Sequence, residues 1–421
     1  MSLLRRLGAV ALAAGVVLPS AAYGLSLDEA IALALKSNPG LAQSQAQADA
    51  AAARLRQAKA GRAPTVALTG EVGTGETDLG GFFGFGRANV DPRAAAIEVR
   101  QPIFTGGAIS ASVTRAREGQ DAALAQLGGT RALLSALVAE AYVAVLSARE
   151  LLALHEAQVV QMQEVARQAD LRFTAGETPK SDLSQAQARL AEANAGLARA
   201  RGEVARSRAR FVSVVATDPE ALEPLPAAPS TPASLDEALS EALRSNAMLK
   251  SAQASARAAD AGVRYAQAGR APSIALAASA SSVRDKFFPG YHAHDTTVSV
   301  QGSWTLFSGG AISARVSEAK ADARSAHAAV EAAEASVREA VIGAWSDLTT
   351  TRAMLVAAED QSVAAVSALE SVRHEVRVGQ KPALDLLDAH REALAAQSAV
   401  VAARGGALTA AYRLQALLHG A

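Results

Sequence analysis

The chain has 421 residues, 41 Lys and Arg against 41 Asp and Glu, seven His and no Cys; half of it is hydrophobic, only 4% is aromatic, and about a quarter is alanine. Zero formal net charge leaves no electrostatic footprint for nucleic acid, and the lack of cysteine excludes a disulfide framework, a thiolate metal site, a Cys nucleophile and a cysteine-linked lipid anchor. Alanine favours helix and carries almost no bulk, so the composition suits long, closely packed helices rather than the thick core of a globular enzyme.

Residues 1–24 read as a cleaved export signal. Arg5 and Arg6 precede the uncharged apolar run Leu7 to Leu18, and Pro19 and the small residues Ser20 to Gly24 follow. The run is too short for a spanning helix, which needs about 20 residues. Cleavage is expected after Gly24. No later segment is a continuous apolar stretch of that length, so any membrane insertion must use strands.

Beyond the signal the chain is written twice. Leu27-Asp28-Glu29-Ala30 recurs as Leu235-Asp236-Glu237-Ala238, and Gly61-Arg62-Ala63-Pro64 as Gly269-Arg270-Ala271-Pro272, both 208 positions apart. Gly106-Gly107-Ala108-Ile109 recurs as Gly309-Gly310-Ala311-Ile312, now 203 apart, so the first copy has a longer connection between Pro64 and Phe104. The repeats are 25–217 and 235–421. Between them, 218–234 holds five prolines and reads as an extended linker.

Each repeat begins with a helical segment, opened by Ser26 or Ser234 as N-cap and ended before Pro64 or Pro272. Two amphipathic strands follow, at about 65–73 and 94–104 in the first repeat and about 273–283 and 296–307 in the second. Val66, Leu68, Val72, Ile97 and Val99 alternate with Thr65, Thr69, Glu71, Glu98 and Arg100; Val298, Val300, Trp304 and Leu306 alternate with Thr297, Ser299, Gln301 and Ser303. Each run is about as long as a tilted transmembrane strand, although a half-buried soluble sheet shows the same alternation.

Proline-free runs come next, Gly107 to Phe173 and Gly310 to Val376, each 67 residues and about 100 Å long as a helix. Steps of three and four mark one seam: Val138, Ala141, Val145, Ala148, Leu152, His155, Val159, Met162 onward, and 203 positions later Val341, Ala344, Leu348, Thr351, Leu355, Ala358. The rule resumes from Leu183 to Phe211 and from Leu386 to Leu414. So narrow and alanine-rich a seam is that of close coiled coils. Between the paired helices lie hairpin tips at 174–182 and 377–385: Gly176-Glu177-Thr178-Pro179 with Asp182, and Gly379-Gln380-Lys381-Pro382 with Asp385. Glycine closes one helix and proline forbids its continuation.

Four strands cannot close a barrel, and lipid does not tolerate open sheet edges, so several copies must share one. Two copies give eight strands and a filled interior; three give twelve and room for a channel. The predicted fold class is mainly α with membrane β: a tandem helix–strand–strand–helix–helix repeat forming a long coiled-coil α-barrel continuous with a trimeric 12-stranded β-barrel, four strands per chain. Polar strand faces line water, apolar faces meet lipid, and the loops Gly80-Gly81-Phe82-Phe83-Gly84 and Phe287-Phe288-Pro289-Gly290-Tyr291 lie across the membrane from the helices.

The chain resembles the TolC-like outer membrane efflux proteins (outer membrane factors). The resemblance spans Leu25 to the end and rests on the Ser26–Ala30 opening, the repeated Gly-Arg-Ala-Pro, Phe104–Gly107 and Phe307–Gly310 at the strand-to-helix junction, the two G-x5-D hairpins and, above all, the repeat plan. It implies a homotrimer in outer-membrane lipid with a large periplasmic part. This would be the passive exit duct of a tripartite efflux or type I secretion system, joined to a periplasmic adaptor (membrane fusion) protein and an inner-membrane RND, ABC or MFS transporter. By the same resemblance Asp182, Asp385 and Asp388 constrict the periplasmic entrance, Lys381 helps latch it, Val376 stands where the family has a latching tyrosine, and the residues 176–179 and 379–382 dock the adaptor. Three copies of each aspartate about an axis would make a ring that attracts cations and resists contraction. Helix capping accounts equally for Asp182 and Asp385; it explains Asp388, one turn on, less well.

His292-x-His294 lacks further clustered ligands, so no metal is expected; His155 reads as a packing residue and Gly84-x-Gly86 as loop flexibility. There is no G-x-S-x-G, no HExxH and no nucleophile–base set, so neither catalysis nor a cofactor is expected. The rival reading, an exported periplasmic coiled-coil scaffold or adaptor without a pore, explains the heptads but not four amphipathic strands at matching places. The cargo, whether drug, metal or protein, is not written in this chain.

Overall fold

The structure, a computed structural model, describes residues 24–78, 80, 81 and 86–418, with Ala383 described by its backbone alone. The export signal up to Tyr23 and the loop residues Phe82, Phe83 and Gly84, and so all of the Gly84-x-Gly86 motif but Gly86, lie outside the described residues. In chain order the elements are α1 (Leu27–Ser37), α2 (Pro39–Ala60), β1 (Thr65–Val72), β2 (Gly75–Asp78), β3 (Arg87–Val90), β4 (Arg93–Phe104), α3 (Ala108–Thr174) and α4 (Lys180–Val215), then α5 (Leu235–Ser245), α6 (Ala247–Ala268), β5 (Ser273–Arg284), β6 (His292–Ser303), α7 (Ala311–Arg377) and α8 (Ala383–Leu418).

The four helices of one half match those of the other at 11, 22, 67 and 36 residues. The likeness extends to single hydrogen bonds. Ser26 accepts from the Glu29 N–H and Ser234 from that of Glu237. The Asn38 side chain caps α2 and donates to the Val214 carbonyl; that of Asn246 caps α6 and donates to Leu417. These asparagines correct one expectation: the opening segment of each repeat is two helices, not one. Pro39 disfavours helical backbone at Asn38; in the second copy Ala247 follows instead, and the same break rests on the asparagine cap.

Two equivalent cores hold the helices. Ala30, Leu134, Val138, Val145, Phe211 and Val215 pack together in the first half; Ala238, Val337, Val341, Leu348, Leu414 and Leu418 do so in the second. The predicted seams are buried, from Val138, Ala141, Val145 and Ala148 to Met162 on α3, and through Val341, Leu348, Ala358, Ala365 and Val376 on α7. Here α6 lies between α3 and α7, while α2 lies against α3. The linker has no regular element yet is pinned in place. Leu25 N–H donates to Ala221 (2.9 Å), Arg149 donates to the Pro219 carbonyl, and the Tyr142 hydroxyl sits 2.8 Å from the carbonyl oxygens of both Leu25 and Glu223.

β1, β4, β5 and β6 form one antiparallel sheet in that order, and β2 pairs with β3. That small ladder extends the first hairpin and takes up its five extra residues; the second hairpin turns directly at 285–291. Among the described residues, the outer edges of the main sheet, at β1 and β6, have no partner strand. The last strand differs from its expected span of 296–307. Its partner β5 starts at Ser273, directly after Pro272, and Ser273 pairs with Ser303, so among the described residues Trp304 to Phe307 have no strand beside them.

Candidate functional site

Strand register decides which residues share a face, because directly paired residues point the same way. One cross-sheet row is Val66, Val99, Ala278, Val298; the next on that face is Leu68, Ile97, Ala280, Thr296, and Leu276 and Val300 extend it toward the helices. Val66, Leu68, Val298 and Val300 are 65%, 78%, 71% and 73% exposed, an apolar face with no protein over it. Opposite lie the rows Thr65, Arg100, Ala277, Ser299 and Ala67, Glu98, Ser279, Thr297, polar or small throughout. One face therefore suits lipid and the other water.

At each strand-to-helix junction two glycines turn the chain with positive φ: Gly106 (61°) and Gly107 (89°), then Gly309 (60°) and Gly310 (86°). These left-handed conformations favour glycine. Side chains repeat the join, since Gln101 donates to the Arg62 carbonyl at 2.7 Å and Trp304, 203 positions on, to that of Arg270 at 3.1 Å. The long helices are thus aimed directly from the sheet.

At their far ends the hairpins close alike. Gly176 and Gly379 take φ of 76° and 77°, and the next N–H in each reaches back five residues, Glu177 to Arg172 (2.9 Å) and Gln380 to Glu375 (2.8 Å). This satisfies carbonyls at the helix end and reverses the chain. The segments Gly176, Glu177, Thr178, Pro179 and Gly379, Gln380, Lys381, Pro382 form the two turns, largely exposed, with the Thr178 hydroxyl buried and unpaired among the described residues. Asp182 is exposed in the first turn of α4 and accepts from the Ser181 hydroxyl at 3.2 Å; Asp385 is half-buried in the first turn of α8.

Charge pairing differs between these residues. Lys381 meets Glu375 of its own hairpin at 2.8 Å, and that carboxylate, with a smaller contribution from Asp385, holds its pKa above the ordinary lysine value. The cross-hairpin tie belongs to Asp388, 3.6 Å from Arg189 on α4 and 3.5 Å from Arg391. Asp182 and Asp385 form no ion pair among the described residues. Arg189, Glu375 and the buried His390 were not singled out from sequence. A signal existed for Arg189: 203 positions on, the second repeat has Glu392, a reversal of charge beside an otherwise repeated seam. His390 has its pKa lowered to about 4, by burial first and then by the Arg373 charge. Val376 lies buried in the α7 seam and offers no hydroxyl to a latch.

A family model described as outer membrane efflux protein matches residues 30–217 and 238–420. The chain is 29% identical to the outer membrane efflux protein BepC of Brucella suis over 409 residues, 96% of this chain and 88% of that protein. It is 31% identical to protein CyaE of Bordetella pertussis over 341 residues, 78% of this chain and 70% of that one. Among solved structures, the Campylobacter jejuni CmeC outer membrane channel superposes with a TM-score of 0.83 at 14% identity, covering 94% of this chain and 85% of that one.

Proposed function

Because this chain belongs to the outer membrane efflux protein family and is the outer-membrane exit duct of a tripartite efflux system, we propose that it works as a homotrimer whose three four-stranded sheets close one twelve-stranded barrel. The observation that carries this reading is the pair of open edges on a duplicated chain. Within the protomer, β4 of the first repeat joins β5 of the second, and α3 joins α6. The same join is left unmade at β6, α7 and α2. A ring of identical chains repeats it at every boundary, so that β6 of one protomer pairs with β1 of the next and no edge faces lipid. Trp304 to Phe307 would then gain a partner strand. The scaffold without a pore has no use for a sheet apolar on one face and polar on the other.

The register is specified. Glu98 pairs with Ser279 inside the protomer, and moving the two by the repeat offsets of 203 and 208 pairs Gln301 with Glu71 of the neighbour. The chain has no native cysteine, so the variant Gln301→Cys/Glu71→Cys is a clean test. Oxidation is expected to give covalent dimers and trimers on a denaturing gel, whereas either single variant stays monomeric. A double variant that stays monomeric on oxidation would overturn the pairing.

Below the membrane the helices form a tube, and Asp182, Lys381, Asp385 and Asp388 line its periplasmic entrance. The Arg189–Asp388 pair supports the second hairpin being held against the first, with Arg189 in the place of the expected latch and Lys381 confined to its own hairpin. The turns 176–179 and 379–382 dock the periplasmic adaptor, which couples the duct to an inner-membrane RND, ABC or MFS transporter. Photo-crosslinkers placed at Thr178 and Gln380 should capture the adaptor, and capture only from positions high on the tube would refute the docking site.

A further inference from the structure

On the lipid-facing side of the sheet, the row farthest from the helices breaks the apolar pattern. Val72, Arg93, Arg284 and His292 stand side by side on β1, β4, β5 and β6, with His294 one row below on the same face. All five are exposed. Neighbouring strands are about 4.8 Å apart, so two guanidinium groups and an imidazole share one small patch. Like charges directly opposite in a sheet are destabilising. Among the described residues no carboxylate lies within 4.0 Å of Arg93 or Arg284, and the carboxylate of the adjoining turn, Asp285, accepts instead from the Gly290 N–H at 2.7 Å.

The height of this row on the barrel identifies what meets it. From Ile274 beside the helices to Arg284 is about 33 Å along the strand, or about 25 Å along the normal of a barrel with tilted strands, which is the height of an outer-membrane apolar band. Phe104, Trp304 and Phe307 are exposed at its inner end. At its outer end, just beyond the cations, Tyr291 makes edge-on contacts with Phe287 and Phe288, centroids 5.0 and 5.4 Å away. Aromatic rings gather where hydrocarbon gives way to headgroups, so the arginines face the headgroup layer of the outer leaflet. Resting on the barrel reading above, we propose that Arg93 and Arg284, flanked by His292, form on each protomer a clamp for the phosphate of an anionic glycolipid in that leaflet. Paired guanidinium forks match phosphate oxygens, and binding removes the repulsion between the two cations.

The test uses the full-length trimer in phosphatidylcholine nanodiscs doped with bisphosphorylated lipid A or with its dephosphorylated form. Lipid retained through washing is read by native mass spectrometry, and channel current is read in planar bilayers. The wild type should retain the phosphorylated lipid selectively, and inorganic phosphate should not displace it. Arg93→Gln/Arg284→Gln should weaken retention by about thirtyfold at two such charges while current persists. Arg93→Lys/Arg284→Lys, which keeps the charge and loses the fork, should fall between. Equal retention by wild type and the Gln variant, or equal retention of the two lipids, overturns the clamp. Displacement by inorganic phosphate would overturn a lipid as the occupant. A wild type that passes no current strikes the barrel reading itself and removes the membrane face on which the clamp depends.

Discussion

Tyr142 is fully buried, and its hydroxyl is the only polar atom on the ring with which to reach the linker. Burial first, then the charge of Glu223, pushes its pKa up to about 12, so it remains a neutral donor at any ordinary pH. Tyr142→Phe keeps the packing against Phe211, 6.4 Å between centroids, and removes only the hydrogen bond to the linker. A loss of about 1–2 kcal/mol is expected, read as a lower thermal midpoint in detergent; an unchanged midpoint would show that the linker does not need this anchor. His390 gives a pH dependence of definite sign. Its folded pKa of about 4 lies below the ordinary 6.5, so between those values the unfolded chain binds a proton that the folded hairpin refuses. Stability from this site is complete above pH 6.5 and is lost as pH falls toward 4. Thermal midpoints measured across that window should drop with acid in the wild type and drop less in His390→Leu. Parallel curves would rule His390 out as the source.

At the scale of elements, the proposed entrance rests on the hairpin tips. The Arg189–Asp388 contact is long and half-exposed, so it holds about 1 kcal/mol or less, too little to lock one hairpin to the other. Its two halves predict opposite ion effects. Arg189→Ala removes the tie between the hairpins and leaves Asp388 with Arg391 as its one remaining cation among the described residues, so conductance should rise and block by multivalent cations should strengthen. Asp385→Ala/Asp388→Ala should also raise conductance but weaken that block, since the proposed ring loses these carboxylates while Arg189 keeps Glu192 as its partner at 2.9 Å. Planar-bilayer recordings that give the same block for both variants would remove these residues from the conduction path. The elements themselves were largely legible. A seam that buries Val138, Val145, Val341 and Leu348 repeats at heptad spacing, and the hairpins announce themselves by glycine followed three residues later by proline. The Arg189 partner was hidden because pairing between hairpins depends on how they lean together, which no local period records. The break at Asn246 was hidden because an asparagine that caps by its side chain looks, in sequence, like one more polar position of a continuous helix, whereas the matching break at Asn38 carries a sequence signal in Pro39.

At the scale of the whole molecule, the duplication separates folding from assembly, and a pair of glycines can tell the two apart. A Cβ on Gly106 would stand 2.5 Å from that of Ala271 and 2.7 Å from the Ala268 carbonyl oxygen, both in the second repeat of the same chain. A Cβ on Gly309, its repeat equivalent, meets nothing within 4 Å in the protomer. If ring closure repeats the internal join, Gly309 instead approaches Ala60 and Ala63 of the neighbour, the residues 208 positions before Ala268 and Ala271. Both glycines have φ near 60°, so alanine at either costs about 1 kcal/mol of backbone strain, and that common cost cancels in the comparison. What remains is the clash, which falls inside the protomer for Gly106→Ala and between protomers for Gly309→Ala. Gly106→Ala should lower the midpoint of the monomer measured under conditions that dissociate the trimer. Gly309→Ala should lower that midpoint only by its strain, and so less than Gly106→Ala does, yet populate less trimer at equal concentration in analytical ultracentrifugation. The two variants behaving identically in both measurements would mean that the boundary between chains is not a copy of the boundary within one.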